Sequence, residues 1–232
     1  MSLSIVMPCY NEEAIIAKVI KTYYADIIDK IDDSEFIIIN DCSKDSTPQI
    51  LKGLADELPK LKVLNTPVNS GHGKAMRLGY DSATKEYVFQ VDSDDQFESK
   101  DFWRLYTLKD GYKFVVGMRK VRNDPFHRKI LTRIIRLSNF LLFGTWIEDA
   151  NCPFRLIKTD VLKNLLNDID KEALAPNIMI SILAEREKIK TASVPITHYA
   201  RKAGVISIRH WKLIKFSWKG LMQLIALRLK KG

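Results

Sequence analysis

The stretch VFQVDSDDQF, residues 88–97, sets three carboxylates, Asp92, Asp94 and Asp95, within four positions directly behind an apolar run. The run from Tyr87 to Val91 is short, aromatic and β-branched, and reads as a buried strand. Three ionised carboxylates at such range repel one another strongly wherever the dielectric is low, so the strand end needs a counter-charge. A hard cation is the natural partner. Strand alternation points Asp92 and Asp94 the same way and Gln96 adds a neutral oxygen, a set that suits Mg²⁺ or Mn²⁺ bound through few protein ligands plus a diphosphate. A solvated acidic turn is the competing reading of these residues taken alone.

Four other runs read as strands: Leu3 to Met7, Phe36 to Ile39, Lys62 to Leu64 and Phe114 to Val116. Helical patterns lie between them, from about Glu12 to Ile28, Ser46 to Leu58 and Gly73 to Ala83. The alternation βαβαβαβ implies an α/β fold, a Rossmann-like, mostly parallel sheet flanked by helices. Ligands of such sheets bind outside the carboxyl ends of the strands. PCYNEE, NDCSKDST, NTPVNSGHG and DSDDQ follow the first four strands and therefore converge on that edge. Beyond Gly117 come a basic helical stretch, Arg128 to Phe143, then EDANCPFRLI, two further helices and a strand near Thr191 to Ile196. With no Gly-, Pro- or Ser-rich linker and no repeat, one domain over residues 1–206 with an extension over 207–232 is the simplest division.

The 232 residues and 46% hydrophobic content are enough to fill a real core. Cys9, Cys42 and Cys152 are odd in number and far apart, which suggests neither a disulfide framework nor a zinc site and fits a reducing cytosol. The first residues run straight into a strand pattern without the basic and long apolar regions of a signal peptide, so no export is implied. The net charge of +9 is unevenly placed. After Glu187 there are 11 Lys and Arg and no acidic residue, while 26 basic residues face 28 acidic ones before it, leaving that part at −2.

Asp41, after FIIIN, would face the crevice and accept hydrogen bonds from a nucleobase or ribose, whereas Asp45 and Ser46 read as capping residues of the next helix. NSGHGKAM matches neither phosphate motif it resembles: Met76 holds the third-glycine place of GxGxxG, and Val68 and Ala75 break the P-loop pattern. His72 has no His, Cys or carboxylate at ligand spacing and reads as a solvated loop histidine.

Taken together, VMPCYNEE, INDCSKDST, NSGHGKA, VDSDDQ and GMR, in this order and spacing, resemble glycosyltransferase family 2 on the GT-A fold, over roughly Leu3 to Arg155. Within it the chain is most similar to polyprenol-phosphate sugar transferases of the dolichol-phosphate mannosyltransferase type, through DSDDQ, GMR, the basic cluster Arg128, Lys129 and Arg133, and DANCPFR. The resemblance implies a nucleotide-sugar donor, with Pro8, Tyr10, Glu12, Asp41 and Asp92 on the nucleotide. It implies Asp92, Asp94 and Gln96 as metal ligands, Asp94 among the catalytic residues, and Arg119, Arg128 and Arg201 on the acceptor phosphate or the diphosphate. Pro153 stands where relatives often have Gly, and RKAGVIS fits the family's late basic motif only loosely.

Displacement at an anomeric carbon needs its diphosphate leaving group stabilised, which metal and arginines do electrostatically. A polyprenyl phosphate acceptor is already largely dianionic near neutral pH, with a second pKa of about 6, and requires no base. The expected reaction is therefore a metal-dependent, inverting transfer to a polyprenyl phosphate such as dolichyl phosphate. A rival is transfer to a saccharide hydroxyl with Asp149 as base. A non-catalytic nucleic-acid binder, prompted by the basic charge, is disfavoured because no nucleic-acid motif occurs and an acidic crevice repels phosphates. GDP-mannose, UDP-glucose and UDP-N-acetylhexosamine all stay open as donors.

The basic tail predicts a helix from about Ser207 to Lys231. Trp211, Ile214, Trp218, Leu221, Met222, Ile225 and Leu229 share one face, and Lys212, Lys215, Lys219 and Lys230 gather on another. No stretch reaches the ~18 to 20 uninterrupted apolar residues of a span. The expectation is an enzyme peripherally associated with the cytoplasmic face of an anionic membrane. Relatives of this type have transmembrane helices here or use a membrane partner protein, and the resemblance leaves such a partner open. A helix packed on the core with a solvated lysine face is the alternative.

Overall fold

The structure, a computed structural model, describes residues 2–119, 137, 140–144, 147, 149–200 and 210–231, with side chains of the last helix described over 218–230. Arg128 and Arg201 lie outside the described residues, as does most of the basic stretch 128–143. The strands are β1 Leu3–Cys9, β2 Ser34–Asn40, β3 Leu61–Asn65, β4 Tyr87–Gln90, β5 Phe114–Arg119, β6 Arg155–Lys158 and β7 Thr191–Ile196. The helices are α1 Ile16–Asp26, α2 Thr47–Glu57, α3 His72–Ser82, α4 Phe102–Tyr106, α5 Thr159–Asp168, α6 Pro176–Arg186 and α7 His210–Lys231.

The strands form one sheet in the order β3-β2-β1-β4-β6-β5-β7. Pairings β1–β2, β1–β4, β2–β3 and β5–β7 are parallel, whereas β6 runs antiparallel to both β4 and β5. The parallel α/β expectation holds, and β6 is the departure from it. Every residue of β1 and β2 is buried, as a sheet covered on both faces requires. α6 is buried from Pro176 to Ala184, all round, and packs against α5 and α3.

Pro8 sits in a central strand, where its missing N–H would ordinarily break the ladder. Val6 O accepts from Val91 N and Cys9 O from Asp41 N, so alternation turns Pro8 toward β4. Pairing with β4 ends at Val6–Gln90, so Pro8 lies where the ladder asks no N–H of it. α1 starts at Ile16 rather than Glu12 because residues 11–13 are tied to the loop after β2 instead. Asn11 N donates to Ser43 Oγ, Glu12 N to Thr47 Oγ1 and Glu13 N to Asp45 Oδ2.

Candidate active site

The loops after β1, β2 and β4 share an uncommon backbone state. Asn11, Cys42 and Asp95 have φ of 54°, 58° and 55°, the left-handed region, at the carboxyl ends of three parallel strands. Such conformations cost free energy and cluster at functional sites.

Asp41 is buried and organises one wall. Its Oδ1 accepts from Thr66 Oγ1 at 2.9 Å, Ser70 N at 2.8 Å and Ser70 Oγ at 2.7 Å, and its Oδ2 from Gly71 N at 2.7 Å. The carboxylate thereby fixes loop 66–71, which leads into α3 through Gly71 at φ +86°. Asp45 behaves as expected, accepting the Thr47 N–H at 3.0 Å, while Ser46 at the N-cap position makes no side-chain capping bond. Glu12 is buried beside this wall and Tyr10 is 36% exposed at its rim.

The three carboxylates of the opening stretch separate. Asp95 pairs with Lys18 at 2.7 Å. Asp92 Oδ1 lies 3.2 Å from His72 Nε2 and accepts from Gln90 Nε2 at 3.4 Å. Asp94 Oδ1 accepts a long bond from Gln96 N at 3.4 Å. Gln96 is held from the other side: its Nε2 donates to Tyr199 O at 2.9 Å, and Tyr199 N donates to Gln96 O at 2.8 Å. His72 keeps about half of its side chain exposed (52%), as a solvated histidine does, and is in addition a partner of Asp92, brought from 20 residues away by the α3–β4 connection. Partial desolvation pulls its ring's pKa down, yet the charge and hydrogen bond of Asp92, with Asp94 and Asp41 behind, outweigh that and hold it above the ordinary value. The buried Tyr23 hydroxyl beneath is pushed well up by burial, then by the charges of Asp94, Asp95, Glu98 and Asp92.

Among the described residues no three His, Cys, Asp or Glu side chains converge closely enough to hold a metal ion alone. The donor set nevertheless fits a hard cation that takes one or two carboxylates and completes its shell with water and phosphate oxygens. Asp92 and Asp94 supply the carboxylates, and the Tyr199 bond leaves Gln96 its Oε1. The two buried thiols, Cys9 and Cys152, are unsuited to chemistry. Burial, then Glu12, Asp45 and Asp41, pushes Cys9 up to about 12, and burial, then Asp149, pushes Cys152 up to about 12.

Across the crevice, Arg119 at the end of β5 forms a bidentate pair with Asp149: Nε to Oδ2 and Nη2 to Oδ1, both 2.7 Å. The side chains are 14% and 8% exposed. Arg155, the last residue of DANCPFR, goes elsewhere. It is 1% exposed and donates to Cys152 O, Ala150 O and Asn177 O, bracing the turn that carries Asp149. Phe154 packs edge-on against Phe89 at 4.8 Å, behind the acidic loop.

Residues 4–166 match the family described as Glycosyl transferase family 2. The chain belongs to glycosyl transferase family 2. It is 26% identical over 219 residues to undecaprenyl-phosphate 4-deoxy-4-formamido-L-arabinose transferase of Edwardsiella ictaluri, covering 93% of this chain and 66% of that protein. It is 27% identical over 208 residues to a dolichyl-phosphate beta-glucosyltransferase of Trichomonas vaginalis, covering 84% and 64%. The chain thus spans just under two thirds of the length of these relatives. Among solved structures, the mannosyltransferase PcManGT from Pyrobaculum calidifontis, in complex with GDP-Man and Mn²⁺, superimposes with a TM-score of 0.69 at 17% identity, covering 99% of this chain and 64% of that one. The fold is the GT-A glycosyltransferase fold that the motifs imply.

On this family 2 scaffold Pro8, Glu12, Asp41, Asp92, Asp94 and Gln96 lie on the strand-end edge, Tyr10 at its rim, and Arg119 with Asp149 beyond β6. Sequence reasoning missed His72, Lys18, and the buried pair Tyr80 and Gln90, whose signal was a glutamine inside an otherwise apolar strand. The helical wheel of the tail was half right. Trp218, Met222 and Leu229 are exposed, but Leu224 and Leu227, outside the expected face, are buried in the core. Trp211 and Ile214 have no described side chain. No helix among the described residues is long and apolar enough to cross a membrane.

Proposed function

We propose that this chain catalyses metal-dependent, inverting transfer of a sugar from a nucleotide-diphosphate sugar to a polyprenyl phosphate. The observation that carries the reading is the bidentate Arg119–Asp149 pair. A carboxylate whose two oxygens both accept from a guanidinium is a weak proton acceptor, poorly suited to activate a hydroxyl. A guanidinium fork matched to a carboxylate is also matched to a phosphate, which can take its place. The acceptor phosphate oxygen forms the new bond to the anomeric carbon as the bond to the nucleoside diphosphate breaks, and the electron pair leaves with the diphosphate. No proton need be removed. Arg119 orients the attacking phosphate, with Arg128 and Arg201 assigned to the same anionic groups. Pro8, Tyr10, Glu12 and Asp41 bound the nucleoside, Asp41 by fixing loop 66–71. Asp92, Asp94 and Gln96 would hold Mg²⁺ or Mn²⁺, which neutralises charge on the leaving diphosphate. The names of the two relatives and the Mn²⁺ in the structural neighbour support this reading.

The partner surface is an anionic membrane, placing the enzyme peripherally on its cytoplasmic face. α7 docks through Leu224, Leu227 and Gln223, which accepts from Leu174 N and donates to Glu172 O, both at 2.9 Å. Its outer stripe, Trp218 at 65%, Met222 at 39% and Leu229 at 80% exposure, faces solvent beside the exposed Lys219, Arg228 and Lys230. An apolar stripe edged by cations fits an anionic lipid surface. Because truncation would strip Leu224 and Leu227 from the core, the double variant Trp218→Ser, Leu229→Ser is the better probe. Binding to phosphatidylglycerol vesicles should weaken in this variant and with rising salt, and unchanged sedimentation removes the membrane role.

The central test offers GDP-mannose, UDP-glucose and UDP-N-acetylglucosamine, with Mn²⁺ and then with EDTA, to full-length protein and a short polyprenyl phosphate. Metal-dependent formation of a polyprenyl-phosphate sugar is expected. Transfer to saccharide hydroxyls and never to the lipid phosphate, or full activity in EDTA, overturns the reading.

A further inference from the structure

Asp92 carries a signature of deliberate orientation. Both donors near its carboxylate, His72 Nε2 and Gln90 Nε2, address Oδ1. Each is itself held. Gln90 is fully buried, and its Oε1 accepts from the Tyr80 hydroxyl at 2.8 Å, a group that also lies 2.7 Å from Asn177 Oδ1. The Asn177 carbonyl in turn accepts from Arg155 Nη1 at 3.0 Å.

His72, the first residue of α3, is fixed on both sides by its glycine neighbours. Gly71 donates its N–H to Asp41 Oδ2. Gly73 lies so close to the 173–174 backbone that a Cβ there would come 2.2 Å from Ala173 O and 2.7 Å from Leu174 O. The next residue, Lys74, pairs with Glu172 at 2.5 Å. The backbone at the start of α3 therefore has little room to drift, and the imidazole, half exposed, reaches Asp92 from a fixed point. A carboxylate with two donors on one oxygen has its rotation restrained and can offer its other oxygen to a cation. Orienting a ligand oxygen through its neighbour is how outer-shell groups tune cation sites.

We propose that His72 is a positioning residue of the donor site: it holds Asp92 Oδ1, together with Gln90, so that Oδ2 is presented to the divalent cation on the donor diphosphate. The proposal rests on the reading of Asp92 as a cation ligand. It assigns His72 no contact with the sugar and no proton transfer. It requires only an Nε2–H, which a glutamine amide reproduces at similar reach.

Calorimetric titration of full-length protein with GDP and UDP, with and without MnCl₂, tests this without relying on turnover. His72→Ala should raise the Mn²⁺ concentration needed for half-maximal nucleotide binding by roughly tenfold or more, the usual size of an outer-shell loss. Metal-free nucleotide binding and metal-free thermal unfolding should stay as in the wild type. His72→Gln should recover most of the Mn²⁺ response. A wild-type Mn²⁺ titration in His72→Ala, an equal loss of metal-free binding, or failure of His72→Gln to recover at least half the effect each overturns the assignment. Asp92→Asn separates the two levels. If it leaves Mn²⁺ dependence intact, the ligand reading of Asp92 falls and His72 with it; if it abolishes the dependence while His72→Ala does nothing, only the His72 proposal falls. Wild-type protein that binds neither nucleotide overturns both.

Discussion

Arg119 and Arg155 stand on neighbouring strands around one turn, and they use the same fork for opposite ends. Arg155 is sealed in the core and addresses carbonyl oxygens of Ala150, Cys152 and Asn177, with its guanidinium 5.6 Å from the Phe114 ring centroid. Burial lowers its pKa, and the charges of Asp149 and Asp92 nearby do not make up the loss. Arg119 lies three residues past the Arg155–Val116 pairing and meets a carboxylate at the crevice. A guanidinium bound to carbonyls has no anion to exchange, so it braces. One bound to a carboxylate can trade it for a phosphate of like geometry.

The largest break in this comparison is Arg155→Leu. Losing a buried charge whose partners stay behind unsatisfied should destabilise the fold by about 3–5 kcal/mol, visible as a lower midpoint in urea denaturation. A shift below about 1 kcal/mol would mean that the turn 149–152 does not need its brace.

Glu35 extends the comparison to a buried carboxylate far from the crevice. It accepts from Ser4 Oγ, Thr84 N and Thr84 Oγ1, and pairs with Lys62 at 2.6 Å. Burial alone would raise its pKa, but the bonds from Lys62, Ser4 and Thr84 outweigh it and hold the group at about 2 against an ordinary 4.5. A carboxylate depressed in the folded state stabilises fully above the unfolded value and loses that contribution as pH falls through the folded one. Stability should therefore drop between about pH 4.5 and 2, by on the order of 3 kcal/mol. Glu35→Gln should flatten the slope in that window, and an unchanged slope in denaturation midpoints refutes the assignment.

Arg119→Gln leaves the largely buried Asp149 carboxylate with at most one amide donor, so it should cost some stability, though less than Arg155→Leu, and cut lipid-phosphate transfer roughly 10²-fold, a loss of about 2.7 kcal/mol in the transition state. Lost stability with unchanged transfer would make Arg119 a second brace. The smallest effect sharpens the mechanism. Asp149→Asn keeps the shape and removes the charge, so transfer to a lipid phosphate should fall less than about tenfold, whereas loss of a general base costs about 10²-fold or more.

Much of this was legible in the sequence for a physical reason. β1, β2, β4 and β5 are apolar, β-branched runs that end in polar clusters, which is how buried strands of such a sheet must look. β6 was not, because Arg155–Lys158 is four residues long and charged at both ends, and its leading arginine is a core residue only through carbonyls brought from α6 and the preceding turn. The acidic strand end was legible as a charge problem, but its solution was not. Lys18 and His72 come from helices 77 and 20 residues away from their partners, and no local spacing encodes such pairs. The wheel of α7 found a real stripe but could not say that Gln223 would turn Leu224 and Leu227 inward.

The antiparallel course of β6 also sets a length. By lying between β4 and β5 it keeps the strand that ends at the aspartates from touching the strand that ends at Arg119. The two ends stand two strand spacings apart, about 10 Å. On the proposed mechanism that span would be a ruler between the leaving phosphate and the arriving one, wide enough to seat a sugar ring and too wide for one cation to bridge both anions. A longer or shorter acceptor head group would be measured against the backbone of the sheet, the part of the molecule least able to yield.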